Sequence, residues 1–218
     1  MSPRRYSLGQ RQVTAEQTRA RILSAARELL IASEGFSGFT IDAVARQANV
    51  ARMTVYYQFG SKVGLLEAMS DTLAAQGGME QLAGAFRRAD PLEALDEYIS
   101  VFSRFWDSDR LVMRRLRALA TLDPDFEKVV RGRDEWRRGG IRRLCGRIYE
   151  QRGQPAPAAT DEIVNVLFTL LSFESFDTLA GPSRSIVEVA PVVQRLGRAA
   201  IGLEGAGATS GSGSGSAP

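Results

Sequence analysis

At 218 residues the chain is long enough for one large domain or two smaller ones, and a 44% apolar share is enough to fill a core. The net charge is +3 (28 basic residues against 25 acidic), with no histidine and one cysteine. These counts exclude an intramolecular disulfide and remove the commonest metal ligand and the commonest neutral-pH base, so no catalytic residue, metal site or cofactor is expected. No apolar run approaches the ~18 residues of a membrane span and no apolar signal core opens the chain, which predicts a cytoplasmic protein that does not engage a membrane.

The periodicity is helical almost throughout, so the fold class predicted is all-α, with about nine helices. Residues 1–13 read as a flexible basic arm. Thr14 and Gln17 form a capping-box pattern for a first helix with Ile22, Ala26, Leu29 and Leu30 inside, ended by Gly35. Thr40 caps a short second helix with Asp42 in its first turn; Ala48-Asn49 is a turn, and residues 51–57 form a third helix. Ser61 caps a fourth helix that runs to the Gly77-Gly78 break. Pro91 opens a helix with the stripe Leu92, Leu95, Ile99, Phe102, Trp106. A shorter helix spans 109–121, and Pro124 starts a long one to about Gln151. Thr160 caps a nearly all-apolar helix to about Leu179, and a last helix runs from near Ser185 to Leu203, with Ser185/Glu188 or Pro191 marking its start. Residues 205–218 hold only Gly, Ala, Ser, Thr and Pro, the composition of a flexible tail.

Residues 40–66 carry most of the functional information. A short amphipathic helix, a tight turn and a second short helix make a helix-turn-helix, whose second helix is sized to enter a DNA major groove. Residues 1–70 hold nine basic residues against five acidic ones, so the positive charge sits where phosphate binding requires it. Ala51, Arg52, Thr54 and Tyr56 are read as lying on or near one face, with Val55 and Phe59 turned inward. Thr54 can bond a base edge, Arg52 a guanine or a phosphate, and Tyr56 and Tyr57 can pack on sugar and bond phosphate. Lys62, at a helix start, and Thr40, at another, combine a side-chain donor with backbone N–H groups for phosphate.

The order Thr40, Val44-Ala45, Ala48, Val50, then Tyr56-Tyr57-x-Phe59, then Ser61-Lys62 resembles the TetR family of transcriptional regulators. The resemblance implies a DNA-binding domain shared from about Thr18 to Glu67, with the contacts at Thr40, Arg52, Met53, Thr54, Tyr56, Tyr57 and Lys62. It further implies an effector-binding and dimerisation domain over 71–204, which places the DNA-binding domain at 14–70. Two positions depart from the family's habit: Met53 replaces a small residue and Gln58 a histidine.

The larger half concentrates large apolar side chains. Phe102, Phe105, Trp106, Met113, Trp136, Phe168 and Phe176 are candidates for an effector pocket, with core packing as the competing reading for each. Asn165, Thr169, Ser172 and Phe176 recur at spacings of four, three and four, a polar ribbon that needs partners. The resemblance assigns Asn165, Thr169 and Ser172, with Val189, Val193, Leu196 and Ala200 of the last helix, to a homodimer interface. Seven arginines between Arg131 and Arg147 fall all round their helix and read as a solvated surface paired with Asp134, Glu135 and Glu150. Cys145 reads as core filling. The expectation is a homodimeric regulator, most simply a repressor, bound to an inverted-repeat operator in double-stranded DNA and released by a small hydrophobic or aromatic effector. A DNA-binding protein whose second domain only dimerises, and a helical enzyme, are the alternatives.

Overall fold

The computed structural model describes residues 3–32, 38–153 and 160–202, and among these every regular element is helical. The helices are α1 (Pro3–Ala32), α2 (Ile41–Gln47), α3 (Arg52–Phe59), α4 (Lys62–Gln76), α5 (Leu82–Arg87), α6 (Pro91–Asp107), α7 (Arg110–Ala120), α8 (Pro124–Gln151), α9 (Thr160–Leu170), α10 (Phe173–Ala180) and α11 (Ala190–Ala200). Short 3₁₀ turns precede α5 and α11, at Met79–Gln81 and Val187–Val189. The tail at 205–218 and Gly35 lie outside the described residues.

Three expectations change. α1 begins at Pro3, so residues 3–13 are its first turns and not a separate arm, and Thr14 lies inside the helix. α5 escapes the sequence reading because six residues are too few to show a period. The span 160–180 is two helices bent by 52° and not one, because Ser172 leaves the helix with extended backbone and caps α10 by accepting from the Ser175 N–H.

The chain divides into two compact units: Met1–Gln76 with Ser108–Arg133, and Gly77–Asp107 with the residues from Asp134 onward. A boundary near residue 70 is therefore too simple. α7 and the first turns of α8 belong with the helix-turn-helix. In the first unit α1 packs on α2, α4 and α7, and α3 packs on α2 and α4. Its core holds Ile22, Ala26 and Leu30 of α1, Val44 of α2, Val55 of α3 and Leu65, Leu66 and Met69 of α4, all nearly excluded from solvent. In the second unit α6 is central and packs on α5, α10 and α11, while α11 also packs on α9. Arg198 pairs with Asp96, and Gln194 donates to the Asp96 carbonyl and the Ser100 hydroxyl, tying α11 to α6. Tyr98 donates to the Arg137 carbonyl at 3.0 Å, and Gly140 makes that approach possible, since a Cβ there would lie 2.5 Å from the Tyr98 hydroxyl. No single helix among the described residues is long and apolar enough to cross a membrane.

Candidate nucleic-acid interface

α2 starts at Thr40, whose side chain accepts from the Ala43 N–H at 3.1 Å, the cap its residue type predicts. It ends in a Schellman closure: Val50 N–H donates to the Ala45 carbonyl and Asn49 N–H to that of Arg46, with Asn49 at φ 51°. Asn is, after Gly, the residue that takes this left-handed conformation most readily, so Asn49 fixes the angle at which α3 leaves. α3 ends at Gly60, φ 72°, and Ser61 then caps α4 by accepting from the Gly64 N–H at 3.0 Å.

On α3 the buried residue is Val55. At about 100° per residue the opposite side of the helix is centred on Met53 and Tyr57. Those two are 55% and 84% exposed. Thr54 and Tyr56, half-buried, flank this ridge on its two sides. Arg52 and Thr54 therefore project from opposite flanks. The expectation that Ala51, Arg52, Thr54 and Tyr56 lie on or near one face is corrected, since two residues turn the helix by about 200° and set Arg52 and Thr54 about 160° apart. An exposed Met and Tyr that cover no core are available to a partner.

The cations around this ridge are already engaged. Arg52 donates to Asp42 at 3.3 Å and to the Tyr56 hydroxyl at 3.2 Å, with its guanidinium 5.5 Å from the Tyr56 ring centroid. The Tyr56 hydrogen bond, and then the Asp42 charge, raise its pKa above the ordinary arginine value. Lys62 lies 3.7 Å from Asp123, whose other carboxylate oxygen accepts from the Asp125 and Phe126 N–H groups at the start of α8. α1 holds the far end of α3: Arg19 donates to the Gln58 carbonyl at 3.0 Å and stacks 4.4 Å from the Phe59 ring. The sequence reading missed Arg19 and Asp123 because both act across long separations. Thr40, Arg52, Met53, Thr54, Tyr56, Tyr57 and Lys62 all belong to the first unit, on or beside α2, α3 and the start of α4.

The candidate effector residues separate. Met113 lies on α7, in the first unit, whereas the other candidates belong to the second. Trp136 is 53% exposed, so it lines no enclosed pocket. Phe102, Phe105, Trp106 and Phe173 form a chain of ring contacts with centroids 4.5–6.3 Å apart. Arg137 sits among them, 4.3 Å from the Phe168 ring and 5.5 Å from that of Trp106, and Phe176 is fully buried. Arg137 is buried, against the solvated reading of the α8 arginines, although its pairing with Asp134 and that of Arg138 with Glu135 match expectation.

The proposed dimer face also changes. Val189 and Val193 are fully buried within the chain, and Ser172 is the α10 cap. Asn165 and Thr169 are exposed, Leu196 is 43% exposed and Ala200 is half-buried. The outward apolar stripes run through Ile163, Val166 and Leu170 on α9 and Val192, Leu196 and Ala199 on α11, all exposed or half-buried.

Comparison with known proteins gives three findings. Residues 22–69 match the model of the bacterial regulatory proteins of the tetR family. The HTH-type transcriptional regulator SrpR of Pseudomonas putida is 46% identical over 55 residues, which is 25% of this chain and 25% of SrpR's own length. Among solved structures, a TetR-like transcriptional regulator from Rhodococcus sp. RHA1 superposes with TM-score 0.61 at 23% identity, over 87% of this chain and 97% of that one. The regulator FadR from Bacillus subtilis, in complex with stearoyl-CoA, superposes with TM-score 0.60 at 16% identity, over 81% and 96%. The structural likenesses cover most of the chain, and the family match covers residues 22–69, which include the helix-turn-helix. Over residues 22–69 the chain thus matches the DNA-binding region of the tetR family of bacterial regulatory proteins.

Proposed function

We propose that this chain is a sequence-specific DNA-binding regulator that acts as a homodimer on an inverted repeat, represses there, and is released by a hydrophobic or aromatic small molecule. The observation that carries the reading is the outward ridge of α3, with Met53 and Tyr57 exposed on a helix that is fixed at both ends. A helix of eight residues so presented fits a major groove, and two of them about 34–36 Å apart read successive turns of one face of the duplex. The stripes on α9 and α11 supply the dimer contact. The effector enters at the half-buried edge of the second unit's aromatic cluster, at Phe105 and Phe168. The FadR complex with stearoyl-CoA supports an occupant of mainly apolar character in this fold. A ligand releases DNA only by binding the DNA-incompetent state better.

One observation favours a second reading, in which the second unit only dimerises. Phe102, Trp106 and Phe176 are at most 4% exposed and packed on their neighbours, as in a filled core. Release of bound operator by an added apolar compound separates the two readings.

Selection of bound sequences from a randomised duplex pool, read by fluorescence anisotropy with wild type and Tyr57→Ala, tests DNA recognition. The expected result is an enriched inverted repeat, bound roughly tenfold or more weakly by the variant. Tyr57 supports no core, so the variant keeps its fold. Salt-sensitive binding with no enriched motif, unchanged by the substitution, would overturn the proposal.

A further inference from the structure

A pocket of about 320 Å³ lies within the first unit, lined by Ala20, Leu23, Ser24 and Arg27 of α1, Met69, Thr72, Leu73 and Gln76 of α4, and Asp109 and Val112 at the start of α7. Met69, Leu73 and Val112 are buried, whereas Ala20, Ser24, Arg27 and Gln76 are exposed, so the floor is apolar and the rim polar. The volume is at the lower end of small-molecule sites. A cavity of ~150 Å³ holds benzene, so this one holds a body of about two fused rings.

The charge at its edge selects the ligand. Arg27 Nε donates to Asp109 Oδ2 at 2.6 Å, and the Val112 N–H donates to Asp109 Oδ1 at 3.2 Å. The two partners are not equally free. The Asp109 side chain is 14% exposed and capped onto α7, while that of Arg27 is 53% exposed and held by this single short contact. Arg27, the exposed member of the pair, can swing into water if another cation takes its place, and the half-buried carboxylate remains as the fixed charge of the wall. We propose that this pocket is a binding site for a small apolar cation, a fused-ring body seated on Met69, Leu73 and Val112 with its ammonium on Asp109 in place of Arg27. The site is separate from the effector position in the second unit and does not depend on it. It bears on α3 through α1, which carries both Arg27 in the pocket wall and Arg19 on the Gln58 carbonyl.

Calorimetric titration of the full chain with 1-naphthylmethylamine, 1-naphthylacetate and 1-naphthalenemethanol tests this, since the three share a body and differ in charge. The amine is expected to bind at least about tenfold tighter than the acid or the alcohol. Asp109→Asn, which keeps a capping oxygen, should weaken it about tenfold, whereas Arg27→Ala, which removes the internal competitor, should strengthen it. Ser24→Trp, at an exposed position, should fill the mouth and abolish binding. The proposal is overturned if the acid binds as well as the amine, if none of the three binds, or if the amine is indifferent to Ser24→Trp. Should Asp109→Asn unfold the chain, the sign of the Arg27→Ala effect decides.

Discussion

Arg137 and Arg138 are neighbours in sequence, yet their side chains are 2% and 25% exposed. The first donates to the Leu171 carbonyl at 3.1 Å with its guanidinium 4.3 Å from the Phe168 ring centroid; the second lies 4.0 Å from the same centroid. Composition could not separate them, because what buries Arg137 is an acceptor 34 residues away and three rings from two other helices. Cys145, in contrast, was legible: an isolated thiol between apolar neighbours reads as core, and it is fully buried. Burial pushes its thiol up to about 11, from an ordinary 9.0. Below pH 9 the thiol keeps its proton whether the chain is folded or not. Between pH 9 and about 11 only the unfolded chain ionises, so stability falls as pH rises through that window. Denaturant unfolding across this range should show a smaller alkaline loss for Cys145→Ala than for wild type; equal losses would assign the sensitivity to other groups.

At the scale of elements, local signals placed what local chemistry decides. The caps at Thr40 and Ser61, the Asn49 turn and the Ser185–Glu188 capping box all stand where their residue types put them. The α9–α10 break was not visible, because it depends on distant donors. A carbonyl exposed by a break inside a core costs free energy unless it is paired. Here the Leu171 carbonyl accepts from both the Trp106 indole and Arg137, each at 3.1 Å, and these belong to α6 and α8. Ser172 then serves α10 as a cap and is removed from the ribbon of Asn165 and Thr169. This separates two substitutions. Ser172→Ala should cost about 1 kcal/mol of stability and leave the oligomer unchanged. On the homodimer reading, Leu196→Glu should dissociate the dimer while costing the protomer little, since Leu196 is 43% exposed. Light scattering together with thermal unfolding reads both; a monomeric Ser172→Ala would return that residue to the interface.

For the molecule as a whole, the helical class and the helix-turn-helix were open to a reader of the sequence, since both rest on periodicity and turn residues within about thirty positions. The grouping of α7 and the start of α8 with the first unit was not, because it depends on contacts across long separations such as Arg27–Asp109 and Arg133–Asp71. Charge was legible in amount but not in state. Arg52, the first residue of α3, and Lys62, the first of α4, each rest against a carboxylate of the chain itself, Asp42 and Asp123. On the DNA-binding reading the protein thus carries part of its own counterion atmosphere. Engaging a phosphate then frees a carboxylate, which gathers salt cations as the duplex sheds them, so fewer ions are released per contact. The slope of log affinity on log salt should be shallow and should steepen in Asp42→Asn; an unchanged slope would mean that the pair stays closed on DNA. Held loosely wherever the sequence is wrong, such a protein would leave random DNA quickly and cover a genome by many short visits rather than by long slides.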